Sequence, residues 1–168
     1  IIAQGEDGVP WELYENGYLL FKPEPGKDTL SNKPGLSWKK LGFENGVKAI
    51  GFTDKVYLPE DSSDLFANTH ITGATSAEYL DASKIDTSRV KNMNNMFTNS
   101  HFTKLDLNTW DTSNVEDMSF LFYKSELTDL KIDKWNTSKV KNMRHFLYEV
   151  YNLKELNIQD WNTSNVED

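Results

Sequence analysis

The chain has 168 residues, which is long enough to bury the core of one domain. It contains no cysteine, which excludes a disulfide scaffold and a thiolate metal site, and its 18 basic and 26 acidic residues give a net charge of −8. This acidic balance disfavours nucleic acid and anionic membrane surfaces as partners, because both require a basic protein surface.

The sequence has no apolar run long enough to cross a bilayer and no recognisable signal peptide. Because it begins with Ile1 and stops inside a repeat, we interpret it as a fragment of a longer protein. We expect no direct membrane insertion by this fragment. The missing targeting signals therefore leave the location of the whole protein open.

Residues 1–46 are predicted to form an N-terminal capping region with a β-hairpin. Apolar residues alternate at 9–13 and recur at 18–21, which is typical of half-buried strands. Asn16-Gly17 lies between the two runs, and this dipeptide is the strongest short-range hairpin signal. The first eight residues are polar, contain glycine, and are predicted to be loose. A cap is expected here because the first unit of a repeat stack otherwise exposes apolar surface.

Residues 47–168 are predicted to form a repeat region of about five turns, the last one incomplete. Three closely similar copies occupy 86–110, 111–135 and 136–161, so the period is 25 residues in the first two copies and 26 in the third. Self-similarity at this period indicates structural units that stack on one another. An extra stretch at 68–76 is interpreted as an insertion on one face.

Each unit is predicted to contain one short strand and one short helix. Val115, Met118 and Phe122 fall at i, i+3 and i+7, which is one face of a helix. Ser113 and Glu116 match a capping box at the start of that helix. The strands are predicted from short apolar–polar–apolar segments. These segments are centred on Ile50, Leu80, Leu105, Leu130 and Leu156.

Together these elements predict an α/β fold, a right-handed leucine-rich-repeat-like solenoid with one short parallel strand and one short helix per turn, closed by the N-terminal β-hairpin cap. The motif W-[DN]-T-S-x-V-x-x-M stands at 110–118 and 135–143 and begins again at Trp161. With it, the copies resemble the repeats of BspA-like leucine-rich-repeat surface proteins of Gram-positive bacteria and mycoplasmas. The resemblance implies an exported, extracellular protein of the bacterial cell surface that is linked to adhesion.

No catalytic constellation is recognisable, so we predict no enzyme, no cofactor and no metal. His70, His101 and His145 stand without an acid at a familiar metal-binding spacing. A glycosidase is the third alternative, but the sequence gives no way to select two carboxylates at a fixed separation. Asp81 and Asp106 are expected on neighbouring strands, and a Ca²⁺ ion held between them is left open.

The tryptophans Trp110, Trp135 and Trp161 recur once per turn and are predicted to stack as a spine along the edge of the core. Thr112, Thr137 and Thr163 are predicted to form a polar ladder beside them. The alternative for the tryptophans is a surface ladder that stacks on sugars.

The outward side chains of the strands form the candidate ligand-binding face, because the apolar frame repeats while these positions vary. The function that the resemblance implies, and that we prefer, is a noncatalytic bacterial cell-surface repeat module that binds a host or neighbouring-cell protein or glycan in adhesion. The alternative is a purely structural stalk or spacer whose strand face is only solvated. The candidate binding residues are Tyr79, Asp81, Lys104, Asp106, Asn108, Asp129, Lys131, Asp133, Glu155, Asn157 and Gln159.

Charges of opposite sign alternate at equivalent positions of successive turns, as in Lys91, Glu116 and Lys141, and are predicted to help fix the stacking register. The last turn is predicted to leave its apolar edge uncovered. Weak self-association through this uncapped C-terminal turn is therefore expected.

Overall fold

The structure is a computed structural model that describes residues 1–33, 38–39, 47–68 and 79–168. Apart from Asn68, the predicted insertion at 68–76 lies outside the described residues, as does His70. The elements are the strands β1 (Ala3–Glu6), β2 (Pro10–Leu13), β3 (Tyr18–Phe21), β4 (Ala49–Phe52), β5 (Val56–Tyr57), β6 (Tyr79–Leu80), β7 (Ile85–Asp86), β8 (Lys104–Asp106) and β9 (Asp129–Lys131), and one 3-10 helix, η1 (Ala82–Lys84).

Five of the strands form a mixed sheet in the order β1-β2-β3-β4-β6. β1, β2 and β3 are antiparallel, whereas β3, β4 and β6 run parallel. The hairpin predicted around Asn16-Gly17 is confirmed as β2–β3, and Gly17 adopts a φ of 83°, which glycine accepts without strain. The prediction that the first eight residues are loose is wrong, because four of them form β1. The boundary at residue 46 stays a prediction.

Equivalent segments of successive repeats lie side by side and run parallel. β5 pairs with β7, and β8 pairs with β9. Single bridges continue this arrangement on another side of the repeats, where Asp61 pairs with Asn92, Asn92 with Asp117, and Asp117 with Asn142. One repeat therefore adds its backbone to the next, as neighbouring strands do in a parallel sheet.

Four of the five predicted strand centres are confirmed, since Ile50, Leu80, Leu105 and Leu130 lie in β4, β6, β8 and β9. The strand predicted around Leu156 is wrong, because the structure has no strand at residues 151–158. Only one backbone hydrogen bond of the strand pattern reaches that segment, a long one of 3.5 Å from the Lys154 N–H to the Thr128 carbonyl.

The predicted helices are wrong. The counterpart of each helix, for example residues 119–124, is a chain of tight turns. Phe120 and Lys124 each have a φ of 55°, which is the left-handed region and does not occur in a right-handed helix. The N–H of Phe120 donates to the carbonyl of Arg144 in the next repeat at 2.8 Å. The backbone of these segments thus forms hydrogen bonds with the neighbouring repeat.

The physical reason for the error is that a helix and a series of consecutive tight turns both bring residues three or four apart to one face. Val115, Met118 and Phe122 are fully buried, as the helical pattern required, but consecutive turns place them there. The predicted capping box is also absent, because Ser113 donates its hydroxyl to Asp111 Oδ1 at 2.6 Å in a turn.

The predicted α/β leucine-rich-repeat-like solenoid is therefore a wrong fold class. The described elements are short strands and turns, in mixed and parallel sheets, and helical backbone occurs in them only at residues 38–39 and in η1. The part of the chain that carries the repeats, at 79–168, is built from parallel strands, single bridges and tight turns.

The tryptophan spine is confirmed. The rings of Trp110 and Trp135 stack with centroids 6.5 Å apart, and those of Trp135 and Trp161 with centroids 6.1 Å apart. Trp110 and Trp135 are each only 3% exposed, so the alternative of a sugar-stacking surface ladder is wrong for them.

The threonine ladder is confirmed for two of its predicted members. Thr112 donates its hydroxyl to the Asn136 carbonyl at 3.0 Å, and Thr137 donates to the Asn162 carbonyl at 2.9 Å. Thr87 makes the same bond one repeat earlier, to the Asp111 carbonyl at 2.9 Å. Each threonine is about 1% exposed, so the ladder satisfies buried polar groups between repeats.

Candidate functional site

The candidate site lies on the outward face of β8 and β9. These strands run parallel and in register, with Lys104 beside Asp129 and Asp106 beside Lys131. The central residue of each strand is a buried leucine, and the two flanking residues are exposed. Since strand side chains alternate between faces, all four charges stand on the solvent side.

Two adjoining grooves cross this face, and we call the pair the strand-face groove. The first has a volume of about 570 Å³ and the second about 330 Å³. Lys104, Asp129 and Lys131 line both grooves. The groove also has Tyr79 at its β6 end, where the side chain is 56% exposed. Its floor is the paired backbone of β8 and β9.

The charges of the strand-face groove are not neutralised by neighbours within the described part of the chain. None of Lys104, Asp106, Asp129 and Lys131 has an ion-pair partner within 4.0 Å there. Because signs alternate along each strand and between the strands, the four charges form a checkerboard. A ligand that offers both signs, or neutral hydrogen-bonding groups, suits this surface better than a polymer of uniform charge.

Beside the strand-face groove, a polar network holds the backbone after each strand. Asn108 donates its side-chain amide to Asp133 Oδ1 at 2.7 Å and accepts the N–H of Lys134 at 3.1 Å. The N–H of Asn108 in turn donates to Asp106 Oδ1 at 3.1 Å. Asn108 therefore fixes the turn between neighbouring repeats and does not line the groove.

Nine of the eleven candidate residues line the strand-face groove, and their role in binding stays a prediction. The two outside it are Asn108 and Gln159, which take part in turns. Lys154 also lines the groove and was not predicted, because it stands one residue before the expected strand, at the position of Thr128 in the preceding repeat. The nine residues in the groove are Tyr79, Asp81, Lys104, Asp106, Asp129, Lys131, Asp133, Glu155 and Asn157.

The described histidines belong to other surroundings. His101 lies 3.7 Å from Glu126, and His145 packs against the rings of Phe120 and Tyr148. Among the described residues, no group of three or more His, Cys, Asp or Glu side chains is placed to hold a metal ion. The absence of a cofactor, a metal and catalysis stays a prediction.

A second polar cluster covers the backbone of the first repeat, on the side that faces away from the later repeats. Asn32 donates its amide to the carbonyls of Asp61 and Ser63 at 3.1 and 2.7 Å. Lys39 donates its ammonium group to the carbonyl of Asp64 at 2.6 Å. Burial lowers the pKa of Lys39 to about 8, and Asp64 opposes this shift. These side chains take the place of the bonds that a preceding repeat would supply.

The comparisons place the repeat region in a family. The family model described as Mycoplasma protein of unknown function, DUF285, matches residues 61–168, which is 108 of the 168 residues. The chain belongs to this family. No curated protein and no solved structure gave a match. No helix among the described residues is long and apolar enough to span a bilayer.

Proposed function

We propose that this member of the DUF285 family is a noncatalytic module of the bacterial cell surface that binds a host or neighbouring-cell ligand through the strand-face groove. The ligand is a protein or a glycan, and the role is adhesion. The family match supports the coarser statement, a mycoplasma repeat domain. The resemblance to BspA-like surface repeats motivates the extracellular location and the adhesive role.

The observation that carries the proposal is the row of unpaired charges in an open groove. Elsewhere on the described surface, opposite charges of neighbouring repeats do approach each other, as Lys91 and Glu60 do at 3.1 Å. In the groove, Lys104 and Asp129 are direct neighbours on adjacent strands and still make no ion pair. Charged groups with no ion-pair partner in the described chain are available to an external ligand.

A purely structural stalk is the second candidate function. The columns of matched charges and the buried threonine and tryptophan ladders favour it, because they hold successive repeats in a fixed register. A stalk needs these features and does not need the strand-face groove. An enzyme such as a glycosidase is the least favoured candidate.

The test is an array of host surface proteins and glycans probed with the purified chain. The groove variant carries Lys104→Ala, Asp129→Ala and Lys131→Ala together. The matched control carries Lys91→Ala, Glu116→Ala and Lys139→Ala, which also removes two basic charges and one acidic charge, away from the groove. We expect captured ligands to be lost with the groove variant and kept with the control. Equal capture by both variants, or no capture by the wild type, would favour the stalk.

A further inference from the structure

The strand-face groove has a charge pattern that is complementary to itself. On β8 the order along the strand is Lys104 then Asp106, and on β9 it is Asp129 then Lys131. Each charge therefore has an opposite charge as its nearest neighbour both along its strand and across to the next. A pattern of this kind fits a copy of itself that has been turned over, because each sign then meets its opposite.

We propose that the occupant of the strand-face groove is the same groove of a second copy of this chain, in a symmetric two-fold dimer. The two-fold axis lies midway between the two facing sheets and runs parallel to β8 and β9, above the line that separates these strands. This rotation places Lys104 over Asp129 of the second copy and Asp106 over its Lys131. By symmetry each contact occurs twice, which gives four pairs of opposite charge.

The edges of the groove are compatible with this axis. Tyr79 and Asp81 line the groove on one side, and Glu155 and Asn157 line it on the other, so the rotation brings these two edges together. An axis perpendicular to the strands would also match the four central charges, by placing Lys104 over Asp106. The mixing experiment below separates the two axes, because on the perpendicular axis an aspartate at position 104 would lie over Asp106 in mixed and unmixed dimers alike.

The inference rests on the proposed function and makes it more specific, since the neighbouring-cell ligand becomes the same protein. The expected affinity is weak, because exposed ion pairs contribute little individually and each copy carries a net charge of −8. Salt would screen both the attraction across the interface and the repulsion between the two acidic copies. Salt dependence alone is therefore a poor test. A better test is to reverse one charge in each of two variants and then mix the variants.

Two variants, Lys104→Asp and Asp129→Lys, each turn two of the four contacts into like-charge contacts. We expect either variant alone to dimerise at least about tenfold more weakly than the wild type in sedimentation equilibrium up to about 1 mM. When the two variants are mixed, the introduced aspartate of one copy lies over the introduced lysine of the other. The unchanged Asp129 and Lys104 form the second pair. Mixing should therefore restore dimerisation to within about threefold of the wild type, as a mixed dimer detected by labelling one variant.

If net charge rather than groove contacts controlled association, the expectation for Asp129→Lys would be the opposite, so this variant separates the two explanations. Lys104→Asp changes the charge from −8 to −10, and Asp129→Lys changes it from −8 to −6. If general repulsion controlled association, Asp129→Lys would dimerise more strongly than the wild type. Lys139→Asp carries the same charge change as Lys104→Asp at an exposed position outside the groove, and should dimerise about as the wild type does.

Three results would overturn the inference. A wild type that stays monomeric at about 1 mM would do so, as would association that all variants keep, because the contact then lies elsewhere, for example at the C-terminal turn. A mixture that dimerises no better than its components would exclude this two-fold axis. If host ligands are nevertheless captured on the array and lost with the groove variant, the proposed function stands while the second copy fails as its ligand.

Discussion

The indole N–H of Trp135 donates a hydrogen bond of 2.8 Å to the backbone carbonyl of Leu107 in the preceding repeat. Trp110 and Trp161 make the equivalent bond to the repeats before them, at 3.2 and 3.1 Å. Each tryptophan therefore packs against the core and also donates to a backbone carbonyl of the neighbouring repeat. One side chain per repeat thus contributes both to apolar packing and to the register between repeats.

Replacing Trp135 with alanine should lower the free energy of unfolding by about 3–5 kcal/mol, as large aromatic truncations in cores do. The loss combines a cavity between Trp110 and Trp161 with one of the two hydrogen bonds that the Leu107 carbonyl accepts, since the N–H of Trp110 remains as a donor at 3.0 Å. Chemical denaturation would measure it, with Lys131→Ala as an exposed control that should cost less than about 0.5 kcal/mol. A small effect at Trp135 would mean that the repeats are not held by this spine.

The turns lead to a second prediction. It concerns positions where the backbone is left-handed and the residue there disfavours that conformation. Asn99 and Lys124 occupy equivalent positions with φ of 54° and 55°, and asparagine tolerates this region better than lysine. The amide of Asn99 also donates to Asn68 Oδ1 in the preceding repeat at 3.0 Å. Lys124→Asn removes a surface contact of 3.7 Å with Glu149, which contributes little, and should still raise Tm by about 1–3 °C and extend this asparagine column.

The matched control for Lys124→Asn is Lys141→Asn, because Lys141 is an exposed lysine of the repeats whose φ is not positive. Its replacement should leave Tm unchanged or lower it slightly through loss of the contact with Glu116. Scanning calorimetry of the two variants compares them directly. A lower Tm for Lys124→Asn than for Lys141→Asn would show that the left-handed backbone conformation at position 124 does not limit stability.

These turns also explain which part of the fold the sequence could predict. Strand alternation at Leu105 and Leu130 has a period of two, which no helix produces, and both strands were predicted correctly. The spacing of Met118 and Phe122 has a period near four, which helices and consecutive turns share. Asn95 and Asn99 were a signal for left-handed turns, but Phe120 and Lys124 occupy the same positions in the next repeat and concealed it.

The candidate site was predictable to the extent that it depends on strand alternation. The side of the strand on which Lys104 and Asp129 stand follows from the period of two, and the repeat length places them side by side. The place of Lys154 in the groove did not follow, because this residue precedes the outward strand positions, as Thr128 does in the preceding repeat, and the structure has no strand there. That the groove charges stay apart from one another depends on side-chain geometry and lies beyond any sequence pattern.

The charge columns give a third prediction, which the structure sharpens. Lys141 lies 3.8 Å from Glu116, and Lys91 lies 3.1 Å from Glu60, so the column of alternating charges begins one repeat earlier than expected. Glu116→Lys should lower Tm by up to a few degrees at low ionic strength, and less in salt. Adding Lys91→Glu and Lys141→Glu should recover only part of the loss, since the glutamate introduced in place of Lys91 would then face Glu60.

Full recovery of that variant should require Glu60→Lys as the fourth change, which restores alternation along the whole column. Thermal unfolding at low and high salt is the measurement for the series. A single reversal that is neutral at low salt would mean that these exposed pairs contribute nothing to the register. Full recovery of Tm by the triple variant alone would mean that the contact between Lys91 and Glu60 does not contribute to stability.

The buried ammonium group of Lys39 predicts how stability depends on pH. Burial lowers its pKa from 10.5 to about 8, so below pH 8 the folded protein holds a charge that the unfolded chain solvates better. Between pH 8 and 10.5 the unfolded state binds more protons than the folded state, so the contribution of Lys39 to stability rises with pH across this window.

Lys39→Met removes this dependence, and the Asp64 carbonyl keeps the N–H of Ala67 as a donor at 3.1 Å. The variant should therefore exceed the wild type by about 1–2 kcal/mol at pH 7, after allowance for partial exposure, and the difference should vanish near pH 10.5. Denaturant midpoints of both proteins across this pH range measure it, and subtracting one series from the other cancels the other lysines and tyrosines that titrate there. A difference that does not change with pH would mean that Lys39 keeps an ordinary pKa in the folded protein.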